Sequence, residues 1–186
     1  PSSPESGGAN MCMTGYPGAA DALAKLAGLN SVPDGLWPSW GDSRVDAIMP
    51  IAPGMMDFSA KSLALVKIPT LILVGSTDHW VHADWPLYKS FAFDAIGSPT
   101  KSLVQFTNGD HMLVVDTCET MPWLIDMGAY FFCADAVWDM NRAHDLINHL
   151  TTAFLLDTLK GDNEAHNALL PDAVKFVGID YQTTMQ

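Results

Sequence analysis

An α/β fold, a mostly parallel sheet with helices on both faces, is what this sequence of 186 residues predicts. Three observations carry the prediction. Short apolar segments bounded by turn residues alternate with stretches of helical pattern, as in strands joined by crossover helices. The segments are rich in apolar residues rather than apolar only at every second residue, most fully in "PTLILVG" (Pro69 to Gly75), which suits strands covered on both faces of the sheet. Finally, a long stretch from Asp139 to Lys160 places Leu146, Leu150, Ala153 and Phe154 three and four residues apart, the spacing of a single buried helix face.

Taken in order, the first expected strand is "NMCMT", Asn10 to Thr14, and after Gly15, Tyr16, Pro17 and Gly18 an Ala/Leu-rich helix runs from Ala19 to Leu29. The second strand is "VDAIMPIA", Val45 to Ala52, followed by a short helix near Ser59 to Val66. Pro69 to Gly75 is the third, and a helix from Ala83 to Ile96 leads to the fourth, "SLVQF", Ser102 to Phe106. The spatial order of the strands is expected to follow their order in sequence. Two segments interrupt this alternation, Ser31 to Asp42 and Asp116 to Asp139, and they carry four of the six tryptophans. Both read as excursions at the rim of the sheet, whose aromatics either cover core or form the wall of a pocket. The closing helix ends at Lys160-Gly161, a cation followed by a residue suited to the left-handed cap.

At this length and 48% hydrophobic residues the chain supports one domain, residues 1–186. Its elbow region covers 10–29, its acid and histidine loops 75–115, and its closing helix 139–160. Nine Lys and Arg against 21 Asp and Glu leave a formal charge of −12, which repels a phosphate backbone and argues against nucleic acid as a partner. No apolar run approaches the roughly 20 residues of a membrane span, and "PSSPESGGAN" has neither the basic nor the apolar part of a signal peptide. A chain opening on Pro1 is expected to be a mature product or a fragment. Of the three cysteines, Cys12 lies in an apolar segment, while Cys118 and Cys133 flank a loop. If they pair, the closed loop is worth roughly 3 kcal/mol in chain-entropy terms, and a secreted or periplasmic setting follows. Otherwise both are ordinary buried thiols.

The residues with chemistry in them sit where strands end. Asp78 lies in the turn after "TLILVG", and His111 follows the next strand, 33 residues on. One helix and one strand fill that interval, so the two should emerge from neighbouring strand ends. An Asp so placed holds an imidazole in one tautomer while its other nitrogen acts as general base. Upstream, "MTGYPGAADALAKLAG" has the outline of a nucleophile elbow, the strand-to-helix turn G-x-S-x-G, without its serine. Elbow, acid and histidine occur in the chain order of an α/β-hydrolase triad. His79 and His82, with Asp78 and Asp84 nearby, could be weighed as a metal cluster, but no H-E-x-x-H or cysteine pair supports it. They read as rim residues, and no metal or cofactor is expected. His144 and His149 read as packing or surface residues of the closing helix, and His166 as part of a polar loop.

The pieces "DSRVDAIMPIAPG", "LALVKIPTLILVGSTDHW", "LVQFTNGDHML" and "CADAVWDMNRAHDLINHLTTAFLLDTLKGD" span most of Asp42 to Asp162. Together they resemble the dienelactone-hydrolase-like and platelet-activating-factor-acetylhydrolase-like branch of the α/β-hydrolases, the last piece most specifically. The resemblance implies an esterase-type fold of which this chain holds the C-terminal half. It also implies a small-molecule or lipid-like ester substrate, with Asp78 and His111 as the acid and base of a Ser-His-Asp triad.

The chain departs from that family in two ways. In a gapless comparison Pro17 falls on the nucleophile, and proline has no hydroxyl with which to attack a carbonyl. A serine between Tyr16 and Pro17 would restore G-Y-S-P-G, at the cost of an oxyanion donor, because Pro17 would then follow it without an N–H. Ser6, in "PESGGAN", is a weaker candidate, with a flexible Ser/Gly/Pro-rich start as its plainer explanation. The second departure is length: the strands that precede the elbow in the family are not in this sequence, so a partner segment carrying the N-terminal half is expected. From a different class comes the alternative of an inactive hydrolase-fold module that binds or scaffolds.

Overall fold

The computed structural model describes residues 17–34, 37, 41–53, 58–78 and 88–186. Helix α1 spans Ala19–Leu26 and α2 spans Ala60–Leu63. Strand β1 (Thr70–Gly75) follows, then α3 (Tyr88–Ala95) and β2 (Lys101–Phe106). A 3-10 turn at His111–Val114 leads to α4 (Pro122–Asp126) and a second 3-10 turn at Tyr130–Phe132. The long α5 (Met140–Lys160), the short α6 (Asn163–Ala168) and β3 (Ile179–Thr183) complete the described elements.

The result is a mixed α/β structure with a three-stranded sheet in the order β1-β2-β3. β1 and β2 are parallel, with Thr70 opposite Lys101 and Gly75 opposite Phe106. Alternate residues of β1 point to opposite faces, and each face has its own core. Leu71 and Leu73, with Val104 and Phe106, pack against Ala143, Leu150 and Phe154 of α5. Ile72, Val74 and Leu103 pack against Leu63 of α2 and Ala92 of α3. Burial on both sides is the reason the strand sequence is apolar throughout.

The expected strand Val45 to Ala52 does lie beside β1 and parallel to it, but only as isolated bridges, Ile48 to Thr70 and Ile51 to Leu73. Four backbone bonds tie it there: Ile48 N–H to the Pro69 carbonyl, Leu71 N–H to Ile48, Leu73 N–H to Pro50, and Ala52 N–H to Leu73. Regular parallel pairing would have residue 50 donate to the Leu71 carbonyl, and Pro50 has no N–H to give. Order and direction are therefore as the sequence predicts, while the ladder is broken. A strand the sequence reading did not include, β3, runs antiparallel to β2, with Ser102 opposite Thr183 and Phe106 opposite Ile179. The parallel part of the named sheet is thus one pair.

α1 and α2 are shorter than their patterns suggest. α1 stops at Ala27 because Gly28 takes φ 70° and the N–H groups of Gly28 and Leu29 return to the carbonyls of Lys25 and Ala24. α2 is a single turn capped by the Ser59 hydroxyl, which accepts from Ser62 N–H at 3.1 Å. α5 matches the expected 139–160: Asp139 caps it by accepting from Arg142 N–H at 2.8 Å, and Gly161 ends it at φ 66°. The expected strand Asn10 to Thr14 and the first residues of the helix expected from Ala83 lie outside the described residues.

Candidate functional site

Two turns meet at the carboxyl ends of β1 and β2, and a set of short bonds joins them. Ser76 N–H donates to the Phe106 carbonyl at 2.9 Å and Thr77 N–H to the Gly109 carbonyl at 3.0 Å. The Thr77 hydroxyl donates to the same Gly109 carbonyl at 2.9 Å, and Asn108 N–H donates back to the Ser76 hydroxyl at 2.7 Å. Asn108 takes φ 58°, a conformation that asparagine tolerates better than most residues. So close an approach also needs Gly75: a Cβ there would run into the Gly109 carbonyl group. Nothing between these two turns is left to chance in the backbone.

The stitching brings Asp78 and His111 together. Asp78 Oδ2 lies 2.8 Å from His111 Nδ1. The Asp78 carboxyl is 6% exposed and the imidazole 28%, so the acid is enclosed and the ring reaches toward solvent. The main chain of His111 is held as well, since Asp110 Oδ1 accepts from His111 N–H at 2.7 Å at the start of the 3-10 turn. A carboxylate bonded to Nδ1 sets the tautomer and leaves Nε2 as the nitrogen that exchanges a proton with a reactant. Chemically, an Asp–His pair at strand ends is an arrangement that can do general acid–base work.

The other residues singled out in the sequence are placed as follows. Pro17 is exposed, and Gly18, at φ 84°, turns the chain into α1. Ser6, Gly15, Tyr16, His79, His82 and Asp84 lie outside the described residues. Cys118 and Cys133 form a disulfide, with Cα atoms 4.7 Å apart and Cys118 N–H donating to the Cys133 carbonyl. Of the rim tryptophans, Trp138 is core: it is 7% exposed and packs edge-on against Phe106 with centroids 5.0 Å apart. Trp123, in the loop closed by the disulfide, is 54% exposed. His149 stacks edge-on against Phe176, and His166 Nδ1 lies 3.3 Å from Asp157 Oδ1. His144 Nε2 is buried and has no hydrogen-bond partner among the described residues. Among the described residues no group of three or more His, Cys, Asp or Glu could hold a metal ion, and no helix is long and apolar enough to cross a membrane.

Sequence reasoning missed the second support of the histidine turn. Asp135 Oδ2 accepts from Asp110 N–H at 2.7 Å, and its Oδ1 accepts from the N–H groups of Val137 and Trp138, each at 2.8 Å. Trp138 Nε1–H then donates to the Thr107 carbonyl at 2.9 Å. The signal available was Asp135 three residues before Trp138 ahead of a capped helix, a turn pattern that names no distant partner.

No family model matches the sequence, and no curated protein matches it.

Proposed function

We propose that this chain carries the acid and histidine of a serine-type carboxylic ester hydrolase with an α/β-hydrolase fold, of the dienelactone-hydrolase-like branch that the sequence resembles. The observation that carries the reading is the 2.8 Å bond between Asp78 and His111 Nδ1 at adjacent carboxyl ends of a parallel pair, where sheets of this kind bind ligands. In the proposed mechanism His111 Nε2 takes the proton of a serine hydroxyl as the oxygen attacks the ester carbonyl. It then returns that proton to the departing alcohol, and repeats the exchange with water to release the acid. Asp78 stays ionised and holds the imidazolium that forms. The disulfide between Cys118 and Cys133 fits an oxidising compartment.

The nucleophile of this reading is a serine that the elbow of this chain does not show, since Pro17 stands in its place, with Ser6 the weaker candidate within the sequence. One observation favours the second reading, an inactive binding module: Pro17 stands where a hydroxyl is required. Hydrolysis of a short-chain aryl ester distinguishes them. The esterase reading expects turnover by the protein that falls by on the order of 10⁴-fold in His111→Ala. Undiminished turnover in that variant removes His111 from the mechanism, and none in the parent protein favours the module.

A further inference from the structure

The histidine turn is gripped by the sheet, through residues 76–77 and the Gly178 carbonyl that accepts from Thr107 N–H, and from outside the sheet by the segment 135–138. Residues 76–77 hold its middle through the Gly109 carbonyl. The segment 135–138 holds both of its ends, Thr107 through Trp138 Nε1–H at 2.9 Å and Asp110 through Asp135 at 2.7 Å. Asp110 is the residue whose own carboxylate takes the His111 N–H. A continuous path therefore runs from Asp135 Oδ2 through the Asp110 N–H and side chain to the His111 backbone, and from there to the ring bonded to Asp78.

We propose that Asp135 is a positioning residue for His111: its bond to Asp110 N–H sets the orientation in which the imidazole meets Asp78. The inference rests on the esterase reading for its kinetic consequence, but not for its structural one. Asp135 is suited to this because its two oxygens do separate jobs. Oδ1 closes its own turn through Val137 and Trp138, whereas Oδ2 alone crosses to the histidine turn. The Cys118–Cys133 disulfide ends two residues before Asp135 and limits how far that segment can drift. A displacement of about 1 Å at a reacting group costs roughly 10²-fold in rate, so a bond remote from the substrate can matter to turnover.

Asp135→Asn separates the two jobs. The carboxamide oxygen still serves the paired N–H groups of Val137 and Trp138, and its NH2 then faces Asp110 N–H, where it cannot accept. The expected result in the full chain is a fall in kcat of about 10- to 100-fold with KM little changed. It should be accompanied by loss or upfield movement of the downfield His111 Nδ1–H proton resonance. In an Asp78→Ala background the same substitution should add nothing, since the bond it supports is already gone. A merely structural Asp135 predicts the opposite pattern: Asp135→Asn keeps the parent kcat and the Nδ1–H resonance, and only Asp135→Ala lowers thermal stability. That pattern overturns the proposal. If the parent protein hydrolyses no ester, the esterase reading fails, and the resonance in Asp135→Asn still decides the positioning role.

Discussion

Strand β2 has neighbours of opposite sense, and its two sides have different work. Toward β1 the pairing is parallel, so both chains leave the sheet at the same end and deliver Asp78 and His111 side by side. Toward β3 it is antiparallel, so β3 begins where β2 finishes. What it offers that end is a backbone group, the Gly178 carbonyl accepting from Thr107 N–H at 2.8 Å. Its side-chain bonds lie away from the rim and are made by hydroxyls. Ser102 and Thr183 are 2.8 Å apart, the Tyr181 hydroxyl donates to the Leu169 carbonyl at 2.8 Å, and Lys101 N–H donates to the Thr184 hydroxyl at 2.9 Å. A parallel pair gathers two loops at one place and so can assemble a site from two strands. An antiparallel neighbour instead closes an exposed edge.

If that division holds, substitutions on the β1 side should cost activity first and those on the β3 side stability alone. The largest effect belongs to Asp78→Asn and His111→Ala, each expected to lower ester turnover by on the order of 10⁴-fold while leaving the unfolding midpoint nearly unchanged. Next is the disulfide that closes the loop beside the histidine turn: Cys118→Ser with Cys133→Ser should lower unfolding free energy by about 3 kcal/mol for a separation of 15 residues, measured by denaturant titration. Gly75→Ala should cost about 1–3 kcal/mol and also reduce turnover, because the Gly109 carbonyl it displaces belongs to the turn that carries His111. An unchanged kcat in Gly75→Ala would break the link between backbone stitching and the pair.

The β3 side gives the smallest effect. Tyr181→Phe should cost about 1 kcal/mol with no change in turnover. Burial pushes the Tyr181 phenol above its ordinary value, against the lowering influence of its hydrogen bonds to Ser102 and Thr183. A folded pKa above the unfolded one means that the folded state holds this proton longer. The stability this contributes is complete below about pH 10 and is lost as pH rises through the folded value. Denaturant midpoints followed into alkaline solution should therefore fall less steeply in Tyr181→Phe than in the parent protein.

The same division explains what could be read from the sequence. Asp78 and His111 were legible because each sits in the loop that follows an apolar-rich segment, and a crossover helix between parallel strands brings such ends together. α5 was legible through the spacing of Leu146, Leu150, Ala153 and Phe154 and through Lys160-Gly161 at its end, which mark a helix locally. β3 was not, since "IDYQT" offers only Ile179 and Tyr181 in alternation, too little for a period to show. The ladder break at 45–52 could have been seen in Pro50. Asp135 was out of reach, because its partner is a backbone N–H 25 residues away and no side-chain pattern announces such a bond.

The central claim is that the Asp78–His111 pair serves a serine nucleophile. Treating the full protein with a fluorophosphonate probe, weighing it intact and mapping the adduct tests this without knowledge of the substrate. One adduct, on a serine, is expected to form in the parent protein and to fail to form in His111→Ala. A parent protein that takes no adduct after prolonged treatment, or an adduct that forms equally in His111→Ala, would contradict it.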